Sequence, residues 1–527
     1  MQRTFIFHKT LRLTPKHSFA LPRDPVSMSK TTASFTPEIG RLVATVSVGF
    51  VVTQLDVTIV NIALPNISAD LHASVASLQW IVDAYALAFA ALMLSAGVLG
   101  DRLGARRMFA TGMMLFALAS LACGLAPDAT TLVAARALQG IGAAAMLPNS
   151  LALLNQACRH DPKLRARAVG LWTAAGSVSI AAGPVAGGIL VSAFGWRSIF
   201  LVNLPLCIAG LAATFAWIPR PSANLAESAS HQPSANLSAS ATPSLPTNPP
   251  ATSAATSSAT SAAKRPGGID PLGQVLAIIA LIALAGAIIE WRPLGLSHPI
   301  VAGGFVLALA ASLALVAVET RVASPMLPLS IFGNRTFSAA VLFGICVNLT
   351  YYGTVFVLSL FLQRARGYAP LEAGLAFLPL TGGFLLSNVI SGGVIIRYGV
   401  RTPMIVGAAI AALGYGLLHL VDATTPLIGM LVPFLLIPSG MGLAVPAMTT
   451  SVLASVEPGR AGTAAAVLNT ARQAGGAAGV AAYGALAGGA AIAHIVSGLQ
   501  VAAAVSVGLL VAAAALACVV HPEAHAR

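Results

Sequence analysis

An all-α integral membrane protein of fourteen helices, arranged as six, two and six, is the fold this sequence predicts. Three observations predict it. The 527-residue chain is 57% hydrophobic and only 9% charged, with a mean hydropathy of +0.84, whereas a soluble domain carries about 25% charged residues. Its apolar residues gather into fourteen runs, each near the roughly 20 residues that a bilayer crossing requires. One long polar interruption, residues 219–268, divides those runs into six and eight.

The elements follow in chain order. Residues 1–37 hold six Lys/Arg and no apolar stretch long enough for a signal-peptide core, so they read as a basic, disordered cytoplasmic tail. Within that tail Met28 opens MSKTTASFTPEIGR, so Met1 and Met28 are both candidate starts. Six spans are expected near 40–62, 79–99, 107–126, 131–154, 168–190 and 198–218, forming an N-terminal bundle over 38–218. Several contain Gly and Pro, which membrane helices tolerate because neighbours re-satisfy the freed backbone groups. Residues 219–268 are rich in Ser, Thr, Ala and Pro and cannot bury a core, which marks a disordered cytoplasmic linker. Two further spans, near 272–290 and 299–319, make an inserted pair over 269–320. The last six, near 338–361, 373–395, 402–420, 427–450, 462–488 and 494–518, form a C-terminal bundle over 321–520, and 521–527 is a cytoplasmic tail.

A formal charge of +13 would point a soluble chain towards nucleic acid. Here the bilayer is the partner and nucleic acid is not, because Lys and Arg collect in cytoplasmic loops. Arg102, Arg106 and Arg107 follow span 2, and Arg159, Lys163, Arg165 and Arg167 follow span 4. Arg220, Lys264 and Arg265 lie in the linker, Arg321 and Arg335 follow span 8, and Arg397 and Arg401 follow span 10. The alternate loops hold only Arg197, Arg292, Arg364 and Arg366. Both termini are therefore expected in the cytoplasm. The five cysteines are scattered without CxxC or His/Cys spacing, so neither a disulfide framework nor a metal site is implied.

GVLGDRLGAR (97–106) matches GGVIIRYGVR (392–401) in its first Gly, the Arg, the second Gly and the final Arg. Duplicated halves are a habit of transporters, whose site lies near the midplane at the repeat interface. Two carboxylates fall within the first spans. Asp56 lies some fifteen residues into span 1, where a charge costs about 2.5–3.5 kcal/mol on insertion scales and marks a functional candidate by default. Asp83 stands near the start of span 2, where capping or an interfacial position would also explain it. Arg136 sits about five residues into span 4, with Gln139 and Gly140 on its helical face. It could pair with an acid or snorkel to the outer interface.

Four stretches add up to a resemblance. GVLGDRLGARR (97–107) resembles the loop 2–3 motif of the major facilitator superfamily, and LVAARALQGIGAA (132–144) resembles its span 4 motif. AAGPVAGGIL (181–190) resembles its span 5 antiporter motif, and QLDVTIVNIALP (54–65) the span 1 signature of the fourteen-span drug:proton antiporter branch, the EmrB/QacA type. LQWIVDAYAL (78–87), FGWRSIFLVNLP (194–205) and NTARQAGGAAG (469–479) support it, and the likeness covers about residues 38–520.

The resemblance implies a major facilitator fold, two six-helix bundles plus two extra central helices. It implies proton coupling through Asp56, Arg136 and Asp83, with Gln139 and Gly140 completing the span 4 motif. It also implies a cytoplasmic gate at Gly97, Gly100, Asp101, Arg102, Gly104, Arg106 and Arg107, although a positive cluster that sets topology would look the same. The second copy carries Ile396 in place of the acid, so the latch should be asymmetric. Gly183, Pro184, Gly187 and Gly188 are the antiporter-motif residues, and Gly183 and Gly187 have the GxxxG spacing that lets helices approach.

Spans 9–14 hold no Asp or Glu in their apolar centres; because relatives that take divalent cations use an extra acid there, the resemblance implies monovalent, neutral or zwitterionic lipophilic substrates. Asn61, Asn348, Tyr351, Tyr352, Phe356 and Asn388 are candidates for the pocket wall, the aromatics being equally suited to core packing. Walker A, HExxH and GxSxG patterns are missing, so neither ATP-driven transport nor an enzyme is indicated and no cofactor is expected. The reading is a proton-coupled antiporter of the bacterial inner membrane that exports small lipophilic compounds by alternating access. A dedicated exporter of an amino acid, sugar or siderophore is the alternative, and a non-transporting sensor or channel is the remoter one. A periplasmic adaptor and outer-membrane channel, as in some relatives, are open as partners.

Overall fold

The computed structural model describes residues 36–158, 161–219, 270–322, 327–457, 460–488 and 491–520. The N-terminal tail, nearly all of the 219–268 linker and the tail after 520 lie outside the described residues. Among the described residues, fourteen long helices form the structure. They are α1 (Pro37–Asp70), α2 (Val75–Leu103), α3 (Ala105–Gly124), α4 (Ala129–Ala157), α5 (Lys163–Phe194, with its first turn at Pro162) and α6 (Ser198–Trp217). The inserted pair is α7 (Pro271–Leu294) and α8 (Pro299–Glu319). The second set is α9 (Arg335–Ala365), α10 (Pro370–Tyr398), α11 (Arg401–Leu418), α12 (Leu427–Ala454), α13 (Ala461–Ala487) and α14 (Ile492–Val519). Thirteen are long and apolar enough to cross a membrane, and α13 is the exception because Asn469, Arg472 and Gln473 dilute a run of Ala and Gly.

The helix starts are written in the sequence. Thr36, Ser74, Asp128, Asp161, Asp270 and Asn334 each accept a hydrogen bond from a backbone N–H of the turn that follows, which satisfies donors that the helix leaves unpaired. Pro37, Pro162, Pro271, Pro299 and Pro370 stand in first turns, where a missing N–H does no harm. The Thr131 amide also holds the Asp128 carboxyl below the usual carboxylate range. At the opposite turn, Gly104 joins α2 to α3 with φ of +95°, a conformation L side chains rarely adopt.

The chain direction defines two ends. The upper end carries the turns at 71–74, 125–128 and 195–197, and the lower end carries Gly104, Cys158 and Asp161. Helices α1–α6 form one unit and α9–α14 the other; α7 packs beside α2 and α13, with α8 outside it. Gln274 fastens α7, donating to the Ala91 carbonyl at 2.7 Å while accepting from the Ser95 hydroxyl. On α8, Val306, Leu309 and Leu313 are more than 60% exposed, the face a bilayer would cover.

The two units meet above and part below. One buried core runs from the upper residues of the first unit, such as Ile59, Ile62, Leu78 and Trp196, into the whole second unit. The lower half of the first unit has a separate core around Val46, Phe109, Met113 and Phe116. Hydrogen bonds join the units in the upper segments: Gln79 donates to the Val480 and Ala481 carbonyls at 3.1 and 2.6 Å, and Gln363 to the Ile62 carbonyl at 2.9 Å. The Ser359 hydroxyl donates to the Asn61 carbonyl, and Thr381 to that of Ala181 at 3.2 Å. Gln79→Ala removes two of these bonds, each worth about 1 kcal/mol, and is expected to let the upper ends separate. Distances between spin labels at His72 and Ala491, in a chain with its other cysteines replaced, should broaden towards longer values; an unchanged distribution would contradict that role.

Candidate functional site

Asp56 sits on α1 with no exposed surface, and an unpaired charge there would be strongly disfavoured. The fold supplies partners from two other helices. Arg136 of α4 forms a salt bridge with Asp56 Oδ2. Gln139 Nε2, one turn along α4, donates to Oδ1 at 2.8 Å, and Asn203 Nδ2 of α6 donates to the same oxygen at 3.1 Å. Ser120 Oγ of α3 accepts from Gln139 at 2.8 Å and from Asn203 at 3.3 Å, which fixes both amides.

Arg136 is itself 1% exposed, so the snorkelling alternative does not hold: its head group turns inward because the carboxylate is there. Its Nη1 also donates to Gln139 Oε1 at 2.6 Å and its Nε to the Ile81 carbonyl of α2 at 3.0 Å. The guanidinium lies 4.4 Å from the Tyr85 ring centroid and 5.8 Å from that of Phe200, contacts that stabilise a desolvated cation.

Gly140 makes this approach possible, since a Cβ there would lie 2.4 Å from the Tyr85 carbonyl oxygen. Gly140→Ala must push α2 from α4 and is expected to destabilise the protein by about 1–3 kcal/mol. Thermal unfolding in detergent checks it, and an unchanged melting temperature would contradict the close packing.

Asp83 is the opposite case. It lies nine positions past the N-cap Ser74, about 13 Å into α2, and is fully buried. The capping and interfacial alternatives are therefore corrected: Ser74 caps the helix, and Asp83 points into its interior packing. Neither carboxyl oxygen has a hydrogen-bond partner among the described residues. Asp83 lines a cavity between the units with Tyr85 and Arg136 on one side and Tyr352, Gln473 and Gly476 on the other. That cavity offers about 20 Å³, room for roughly one water molecule.

The other predicted residues fall in several places. In the 97–107 stretch, Gly100 packs on Asn149, whose Oδ1 would lie 1.7 Å from an added Cβ, and Gly97 faces Pro148. Asp101 is exposed and forms no ion pair among the described residues. Arg102 and Arg107 are exposed beside it. Arg106 reaches the Phe215 ring of α6 at 5.6 Å, within its own unit. Gly183 and Gly187 pack against Thr58 and Ile59 of α1, while Gly188 faces Pro370 and Leu371. The Pro184 carbonyl abuts Gly374, so the span 5 motif lies where both units touch.

Among the pocket candidates, Tyr352 lines the cavity and Tyr351 stacks edge-on against it with ring centroids 5.5 Å apart. Phe356 has no exposed surface and belongs to the core. Asn61 is turned onto its own helix, donating to the Val57 carbonyl at 2.9 Å, so as a wall residue it is corrected. Asn388 is half-buried on α10. Asn348 accepts from Arg472 Nε at 3.1 Å. Sequence reasoning passed over Ser120, Asn203, Arg472 and Gln473. Each is a polar residue in an apolar run, and Asn203, Arg472 and Gln473 stood inside quoted motifs without a role.

Known proteins share the fold of this chain. The profile of the Major Facilitator Superfamily matches residues 46–480. The chain is 35% identical over 445 residues to a methylenomycin A resistance protein of Streptomyces coelicolor, covering 84% of this chain and 85% of that one. It is 32% identical to the multidrug resistance protein Stp of Mycobacterium tuberculosis, covering 84% and 75%. The inward-open xylose transporter XylE from E. coli shares the fold at a TM-score of 0.60 and 13% identity, over 93% of this chain and 98% of that one. With fourteen helices in two units and a profile match across most of its length, the chain belongs to the major facilitator superfamily of multi-pass membrane transporters.

Proposed function

We propose that the protein is a proton-coupled antiporter of the fourteen-span drug-export branch, which moves small lipophilic compounds out across a bacterial inner membrane. The observation that carries the reading is the contrast between its two interior carboxyls. Among the described residues, Asp56 is held by three donors and Asp83 by none. A bare carboxylate in an apolar setting is the costlier form, so Asp83 is the group suited to hold a proton in this conformation. Asp56 and Arg136 then act as a fixed ion pair, linked to Asp83 through the Ile81 carbonyl on the same helix. Priority among the proton-coupling residues thereby passes from Asp56 to Asp83.

The lower end carries Arg102, Arg106, Arg107, Lys163 and Arg165 from the first unit and Arg397 and Arg401 from the second. By the positive-inside rule it is the cytoplasmic end. The structure is then closed towards the outside and parted towards the cytoplasm. Rocking of the units would open the upper seal, expose Asp83 to the outside and exchange its proton as substrate leaves. Each charge that crosses is worth about 2.3 kcal/mol per 100 mV of potential. The named relatives confer antibiotic or multidrug resistance, which supports export of such compounds. The test is a panel of lipophilic compounds added outside proteoliposomes under an imposed pH gradient, acidic inside. Uptake that collapses with a protonophore is expected, and gradient-independent flux would contradict proton coupling.

A further inference from the structure

Arg472 has no role in the ion pair or in the proton site, yet it stands at mid-helix in α13, eleven residues or about 16 Å past Ala461. A guanidinium at that depth is expected only where it faces a partner or a water-filled cavity. Its single hydrogen bond among the described residues is from Nε to Asn348 Oδ1 at 3.1 Å. No carboxylate lies within 4.0 Å of it among the described residues. Its side chain is half-buried rather than sealed, and its Nη atoms are absent from the buried groups that lack a partner. They have no protein acceptor among the described residues.

The placement is built. Gly344 of α9 makes room for the stem, since a Cβ there would lie 3.2 Å from Arg472 Cγ. Asn348 stands one turn below Tyr352 on α9, and Arg472 one turn below Gly476 on α13. Tyr352 and Gly476 are walls of the Asp83 cavity. A molecule entering between the parted lower ends meets the guanidinium before it meets Asp83. The Asn348 bond fixes the Nε edge and leaves the planar Nη fork to an oxygen acceptor, a geometry suited to a carboxylate.

We propose that Arg472, oriented by Asn348, is the substrate-recognition point of the second unit, and that it takes lipophilic compounds bearing a carboxylate. The proposal rests on the exporter reading and narrows its substrate class. Substrate and proton then use separate groups, and the exchange is imposed by the rocking of the units rather than by competition for one carboxyl.

The experiment compares three probes of one shape on the purified full-length protein in detergent: 2-naphthoate, neutral 2-acetylnaphthalene and cationic 2-naphthyltrimethylammonium. Affinities come from equilibrium dialysis. Wild type is expected to prefer naphthoate over the cation by about tenfold or more, the worth of a charge-assisted hydrogen bond. Arg472→Gln should lose that preference while binding acetylnaphthalene unchanged, and Arg472→Lys should keep part of it. Asn348→Asp, which supplies an internal carboxylate, should abolish naphthoate preference while raising the melting temperature. If Arg472 only ties α9 to α13, Arg472→Gln lowers the melting temperature and leaves the order of the probes intact, which overturns the proposal. Equal affinities in wild type, or no naphthoate binding, overturn it as well. Proton-driven flux without charge preference would sink this inference alone; charge preference without flux would sink the exporter reading and leave the site standing.

Discussion

Asp83→Asn is expected to bring transport driven by a pH gradient down to the level of empty vesicles while leaving the protein folded. The amide has the shape of the carboxyl and fits the same enclosed position. It cannot take up and release a proton. Because Asp83 has no hydrogen-bond partner among the described residues, its replacement breaks no bond, and the melting temperature should shift by less than about 1 kcal/mol would produce. Exchange of substrate for substrate, which needs rocking but no net proton movement, should survive. Counterflow assays with and without a gradient separate the two activities. Gradient-driven transport at the wild-type rate would move the proton elsewhere.

Arg136→Ala is expected to have the largest effect on stability. It leaves Asp56 buried with only the two amides as donors, and breaking a buried ion pair by removing one partner costs about 3–5 kcal/mol. The double variant Asp56→Asn with Arg136→Met should recover a substantial part of that loss, because no buried charge is then left without its counterion. Denaturant unfolding of the two singles and the double in detergent gives the coupling energy. Additive losses would show that the pair does not act as a unit.

Much of the fold could be read from composition and spacing, because the bilayer sets both the length and the polarity of every span. The helices nonetheless overrun the apolar stretches. α1 has 34 residues, about 51 Å, since Thr36 and Pro37 start it early and the chain stays helical to Asp70. The site was legible in parts. Asp56 and Arg136 announced themselves as charges where charges are rare, and their pairing across 80 positions needed only the motif that carries each. Asp83 was harder, because distance along a helix does not tell whether a side chain meets a donor, lipid or the other unit. Ser120 and Asn203 were harder still, since a single hydroxyl or amide in an apolar run acquires meaning only from its face of the helix. The 97–107 motif shows the converse. Gly97 and Gly100 are explained by packing on Pro148 and Asn149 and Gly104 by its turn at φ +95°, while a latch between the units would belong to a conformation with the lower ends together.

On the proposed mechanism, substrate and protons cross in opposite directions through a site that includes Asp83. Proteoliposomes loaded with a transported compound and a pH-sensitive dye, diluted into compound-free medium with no initial pH gradient, test it most directly. Outward movement of the compound should draw protons inward and acidify the lumen with wild-type protein, and leave the lumen unchanged with Asp83→Asn. Acidification by the variant equal to wild type, or loss of compound from wild-type vesicles without any proton movement, would contradict the account.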